Sequence, residues 1–173
     1  MIEAVTQIIV EEGAAAVTHQ RVAERSGVGR ATVYRHWPTT EEILLSVFEL
    51  FQIPAIETES GTLQQRLTTL LHWMVTQFSR PDVRAFIMAI TERAQRDPEI
   101  RRVQQERMEG FQQRIIQVLK DAAIPIQQPT ELITARLIGP IWFLVLVQGK
   151  TPGDDFLEQL VADFIAHAHQ AIA

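Results

Sequence analysis

Apolar residues along this chain recur at intervals of three and four, the spacing that gathers them on one face of an α-helix. Val5, Ile8 and Ile9 make the first such face, and Gly13 follows where a helix would stop. Thr18 stands where a side-chain cap is needed, with Val22 and Ala23 inward and Gly27 closing the segment. A third helix is expected over 30–36. Trp37-Pro38 ends it, because the residue before proline avoids the α region. A fourth starts near Thr40, with Glu41 and Glu42 at its positive end and Ile43, Leu44, Val47, Phe48 and Phe51 as its stripe.

The stretch Ile53 to Gly61, with Pro54, Ser60 and Gly61, reads as a boundary. Longer helices follow. Leu63, Leu67, Leu70, Leu71, Met74, Val75 and Phe78 keep one face, and Val83, Phe86, Ile87 and Ile90 keep the next, behind Pro81. Asp97-Pro98 opens a helix carrying Ile100, Val103, Phe111, Ile115, Val118 and Leu119. Pro125 and Pro129 bracket a break, residues 130–148 are apolar nearly all round, and a last helix covers about 153–171. No strand alternation, repeat or low-complexity tract interrupts this. The fold expected is all-α with about nine helices, divided into residues 1–51 and 52–173.

Composition narrows the classes. In 173 residues there is no cysteine, which excludes a disulfide framework, a thiolate zinc site and a cysteine nucleophile, and fits a reducing cytoplasm. Met1-Ile2-Glu3 lacks the basic flank and apolar run of a signal peptide. The longest nearly apolar stretch, Leu137 to Val147, has eleven residues, well below the ~20 that span a bilayer. These features predict a soluble, cytoplasmic protein. His167 and His169 point to different faces of one helix, which argues against a metal site. No Ser-His-Asp set or Gly-rich phosphate loop is present, so neither an enzyme nor a cofactor is expected.

The net charge of −5 runs against a nucleic-acid partner until its distribution is read. The window 21–36 holds Arg21, Arg25, Arg30 and Arg35 against Glu24 alone, a local +3. The same window has the anatomy of a helix-turn-helix. Ala23 is small where two helices approach, Gly27 suits the tight turn, and Val33 packs the second helix on the first. That second helix would display Arg30, Thr32, Tyr34, Arg35 and His36, hydrogen-bond donors suited to phosphates and base edges. A surface helix in an ordinary α-hairpin satisfies the same spacing.

The run GVGRATVYRHWPTTEEIL, preceded by VAERS and by a helix ending EEG, resembles the DNA-binding domain of the TetR (tetracycline-repressor) family across nearly all of residues 1–50. LIGPIWFLVLVQGKTPGDDFLEQLVADFI resembles the end of that family's regulatory domain. The resemblance implies a ligand-responsive homodimeric regulator, usually a repressor, on a palindromic double-stranded operator. It places Thr18, Gln20 and Arg21 at the backbone or groove edge, Arg30, Ala31 and Thr32 at bases, and Tyr34 and His36 at phosphates. It also implies that effector binding moves the helix 40–51 as a lever. Two positions depart from the family's pattern: Thr40 stands where a phosphate-holding lysine is common, and no basic arm precedes the first helix. They imply modest affinity, or a full protein with residues before Met1.

In the second half, the resemblance places Trp73, Phe78, Phe86, Phe111 and Trp142 around an effector cavity, which suggests a small apolar or aromatic ligand. Ordinary core packing is the competing reading for Phe78, Phe86 and Phe111. His72, Arg107 and Arg114 are candidate anchors for an acidic effector, or solvent-facing charges. By the same resemblance Leu137, Leu144, Leu157, Leu160, Val161 and Phe164 are expected at a four-helix dimer interface, with a central helix buried wholly within one subunit as the alternative. The rival reading is a helical ligand-binding or interaction module whose DNA binding is weak or lost.

Overall fold

The computed structural model describes residues 1–50 and 61–170, the side chains of 48–50, 169 and 170 excepted. The expected boundary at 53–60 and the stripe residue Phe51 lie outside the described residues, as do the side chains of Phe48 and His169. Within them are nine α-helices and no strand: α1 Ile2–Glu12, α2 His19–Ser26, α3 Arg30–His36, α4 Thr40–Leu50, α5 Leu63–Ser79, α6 Pro81–Ala94, α7 Pro98–Asp121, α8 Thr130–Ile141 and α9 Asp154–Gln170. A short 3-10 turn, Ala14–Ala16, follows α1, and a π-helical segment, Trp142–Val147, follows α8. The all-α expectation holds, and α3 has the bounds its pattern predicts.

The caps explain most boundaries. Gly13 ends α1 at φ 87°, and Gly27 ends α2 in the left-handed conformation at φ 69°. The Thr18 hydroxyl accepts the Arg21 amide at 3.1 Å, relieving one unpaired donor at the start of α2. Asp97 does the same for Glu99 and Ile100 at 2.9 and 3.3 Å. At α4 the cap is Thr39, which accepts the Glu42 amide at 3.2 Å. Thr40, one residue later, is half-buried.

Packing sorts the helices into two units: Met1–Gln52 with Arg80–Glu106, and Ile53–Ser79 with Arg107–Ala173. The first unit's core joins Val5, Ile8, Ile9, Val22, Val33, Trp37, Ile43 and Leu44 to Phe86, Ile90, Ala94 and Ile100. A helix from beyond the expected boundary thus completes the helix-turn-helix core, with α6 packed against α1. The Arg93 guanidinium also pairs with Glu41 at the start of α4. Phe86 is therefore a core residue of the first unit. Its stripe faces inward as expected, towards α1.

The second unit closes around Leu67, Leu70, Leu71, Met74, Phe111, Ile115, Leu119, Leu137, Ile141, Val145, Leu157 and Val161. Pro140 lies inside α8, where it removes one backbone donor. The helix widens just beyond it, and the Gln148 amide reaches back five residues to the Phe143 carbonyl at 3.0 Å. Over Thr130–Val147 the mean hydropathy is 1.6 across 18 residues, enough by length and composition to cross a membrane, and 33% of that window is buried.

Candidate nucleic-acid interface

The reading surface is built on α2 and α3, held at their turn by Gly27 and by the buried Val22 and Val33. With Val33 fully buried, α3 turns the rest of its short length outward. Arg30, Ala31, Tyr34, Arg35 and His36 are exposed and Thr32 is half-buried. Arg30 and Arg35 form no ion pair among the described residues, and the Arg30 guanidinium lies 5.9 Å from the Tyr34 ring centre. Tyr34 remains 45% exposed. His36 meets Trp37 edge to face at 4.6 Å, so its ring is steadied by the core beneath it. Together these residues offer forks, hydroxyls and ring N–H groups to an acceptor-rich partner, the donor set that groove and phosphate contacts need.

The other two arginines are engaged within the protein. Arg21 grips Glu12 through Nε and Nη2 at 3.0 and 2.8 Å and reaches Glu24 at 3.4 Å. The Arg21 guanidinium holds the Glu12 carboxyl below the usual carboxylate range. Glu24 is lowered as well, first by the Gln20 amide bonded to it at 2.9 Å and then by Arg21. Arg25 pairs with Glu11 and also donates to Gln7 at 3.3 Å. The local +3 of the sequence is thus partly cancelled by Glu11 and Glu12 from α1, and the free positive charge concentrates on α3. Thr18 and Gln20 are exposed at the start of α2, the first committed to capping and the second to Glu24.

One residue of this surface escaped the sequence reading. His19 is 8% exposed, donates from Nε2 to the Trp37 carbonyl at 2.7 Å, and stacks on Tyr34 with ring centres 3.9 Å apart and planes 3° from parallel. It lies eighteen residues from Trp37, so no local pattern reveals the bond.

Phe86 apart, the aromatic and dimer candidates fall in the second unit. Phe78 meets Trp142 edge to face at 5.8 Å, Trp73 packs half-buried against the core, and Phe111 is buried in it. A groove of about 390 Å³ in this unit is lined elsewhere, by Leu119, Ile126, Ile133, Arg136, Leu160 and Phe164 among others, and by none of those four aromatics. His72 stands 3.8 Å from Asp154. Leu137, Leu157, Val161 and Phe164 are buried in their own unit's core, the first three almost completely, while Leu144 and Leu160 are half-buried. The first three are no more than 1% exposed, the burial within one subunit that is the alternative to an interface. Leu132, Phe143 and Val147 (52%, 51% and 62% exposed) and Phe156 (40%) are the apolar side chains left open on the same stretches. Among the described residues no group of three His, Cys, Asp or Glu side chains is arranged to hold a metal.

Residues 1–47 match the family described as "Bacterial regulatory proteins, tetR family", and residues 57–164 match "Tetracyclin repressor-like, C-terminal domain". An HTH-type transcriptional regulator of Mycobacterium tuberculosis is 24% identical over 170 residues, covering 92% of this chain and 81% of its own. The fold is shared with a transcriptional regulator from Rhodococcus sp. Rha1, with a TM-score of 0.76 at 18% identity over 98% of this chain and 94% of the other. It is shared too with FadR from Bacillus subtilis, solved in complex with stearoyl-CoA, with a TM-score of 0.73 at 19% identity over 96% and 95% of the two chains. Both family matches fall on the elements just described, the first on the helix-turn-helix and the second on the C-terminal helices, and the chain belongs to the TetR family of DNA-binding transcriptional regulators.

Proposed function

We propose that this protein is a cytoplasmic homodimeric repressor that holds a palindromic operator with two copies of α3 and releases it when a small apolar or aromatic effector binds the second unit. The observation that carries the DNA half is the division of the arginines: Arg21 and Arg25 are neutralised by α1, while Arg30 and Arg35 stand beside Tyr34 and His36 with no ion pair among the described residues. In this reading Arg30, Ala31 and Thr32 face bases, and Tyr34, Arg35 and His36 face phosphates. Thr18, Gln20 and Arg21 lie at the groove edge, and Thr40 supplies at most a weak contact.

The effector half draws on the aromatic pair Phe78–Trp142 with Trp73 and Phe111, and on the stearoyl-CoA bound by the Bacillus subtilis relative. The dimer draws on Leu132, Phe143, Val147 and Phe156, apolar surface that a second subunit would remove from water.

Selection of bound fragments from random DNA tests the whole reading. Recovery of palindromes, retained with affinity that falls steeply as salt rises, is the expected result. Recovery of no sequence preference at any salt would reject it.

A further inference from the structure

We infer that His19 is a positioning residue for DNA reading: it fixes where the Tyr34 hydroxyl stands and where the recognition helix ends. The inference rests on the reading that this hydroxyl meets a DNA phosphate. His19 is the first residue of α2, a place where a polar ring ordinarily remains in water, yet it is buried. Its Nε2 approaches the Trp37 carbonyl at 2.7 Å, and because a carbonyl only accepts, Nε2 carries the proton. Trp37 follows α3 as its C-terminal cap and precedes Pro38, so its carbonyl lies past the last helical turn and has no helical partner. One side chain thereby ties the start of the first motif helix to the end of the second.

The same ring is a platform. Tyr34 lies flat on it at 3.9 Å and 3°, while its outer part stays in solvent. An exposed tyrosine without such support samples several rotamers, and DNA binding has to freeze it. Here the ring is ordered before DNA arrives. A phosphate contact made by a neutral hydroxyl depends on being in place, since it has no long-range attraction to guide it.

The chain holds a single tyrosine, so its ring signals report this arrangement without ambiguity. The test is a double-mutant cycle on the full chain with His19→Leu and Tyr34→Phe, read as affinity for a selected operator fragment and as the ring signals of the lone tyrosine. His19→Gln serves as a second variant that keeps a donor and drops the ring. Support is a loss of about tenfold from either position 19 variant that shrinks to about twofold in the Tyr34→Phe background, with the tyrosine signals losing their ring-current displacement. Losses that simply add, or tyrosine signals unmoved by either variant, would overturn the positioning role. If Tyr34→Phe alone leaves affinity unchanged, the phosphate reading of Tyr34 fails first, and that result is visible separately.

Discussion

Arg21 and Glu12 form a two-bonded pair at 3.0 and 2.8 Å, joining the helix-turn-helix to the C-terminal end of α1. The pair sets how much of the positive charge written into the motif is free to meet DNA. Replacing Glu12→Gln removes the counter-charge while keeping shape. Binding to any DNA should then tighten, and the slope of log K against log salt should steepen by up to one phosphate equivalent. Anisotropy titrations at several salt concentrations measure both, and an unchanged slope would mean that Arg21 exchanges Glu12 for phosphate freely.

Arg30→Ala should weaken operator binding by about 1–3 kcal/mol and relax the preference at one base position. His36→Ala and Tyr34→Phe should weaken all sequences alike, because phosphates carry no sequence information. A competition series of single-base operator variants separates the two patterns. Loss of affinity without loss of preference in Arg30→Ala would move that residue to the backbone.

Phe86→Ala should destabilise the first unit by about 3–5 kcal/mol, the cost of a large cavity in a closed core. DNA binding should fall with the folded fraction. Thermal melts with operator titrations check this, and a variant that loses only ligand response would restore Phe86 to an effector cavity.

Phe143→Asp together with Val147→Asp should leave a folded monomer in sedimentation, since both side chains are exposed in the single subunit. Leu157→Ala should instead lower stability by about 2–5 kcal/mol through its buried contacts. A dimer that survives the double aspartate places the interface elsewhere.

Several carboxylates ionise more readily in the folded chain. The Arg21 and Arg102 guanidinium groups lower Glu12 and Glu99, and the Gln117 amide followed by Arg66 lowers Asp121. A lowered carboxyl binds fewer protons folded than unfolded. Its stabilisation is therefore present above the ordinary values of 4.5 for Glu and 3.8 for Asp, and is lost as pH falls through the folded ones. Urea midpoints should decline below about pH 4.5, and Glu99→Gln should flatten that decline. A midpoint that rises on acidification would contradict the sign.

Helix spacing and caps were legible along the chain because each depends on residues three or four apart. Thr18, Gly27 and Asp97 announce their roles locally. The docking of α6 on α1, the burial of Leu137 and Leu157 within one subunit, and the Glu11 and Glu12 pairs with arginines of α2 depend on which face meets which helix, and periodicity is silent on that. His19 is the clearest case. Its neighbours Thr18 and Gln20 read as ordinary first-turn residues, and only the three-dimensional approach of Trp37 and Tyr34 gives the imidazole a task.

Because residues 80–106 complete the first hydrophobic core, the DNA-reading head cannot be transplanted as a leading piece of chain. A chimera carrying residues 1–50 alone would take along α1 with one greasy flank bare. Any graft meant to keep operator choice has to borrow two separate stretches and re-join them in space.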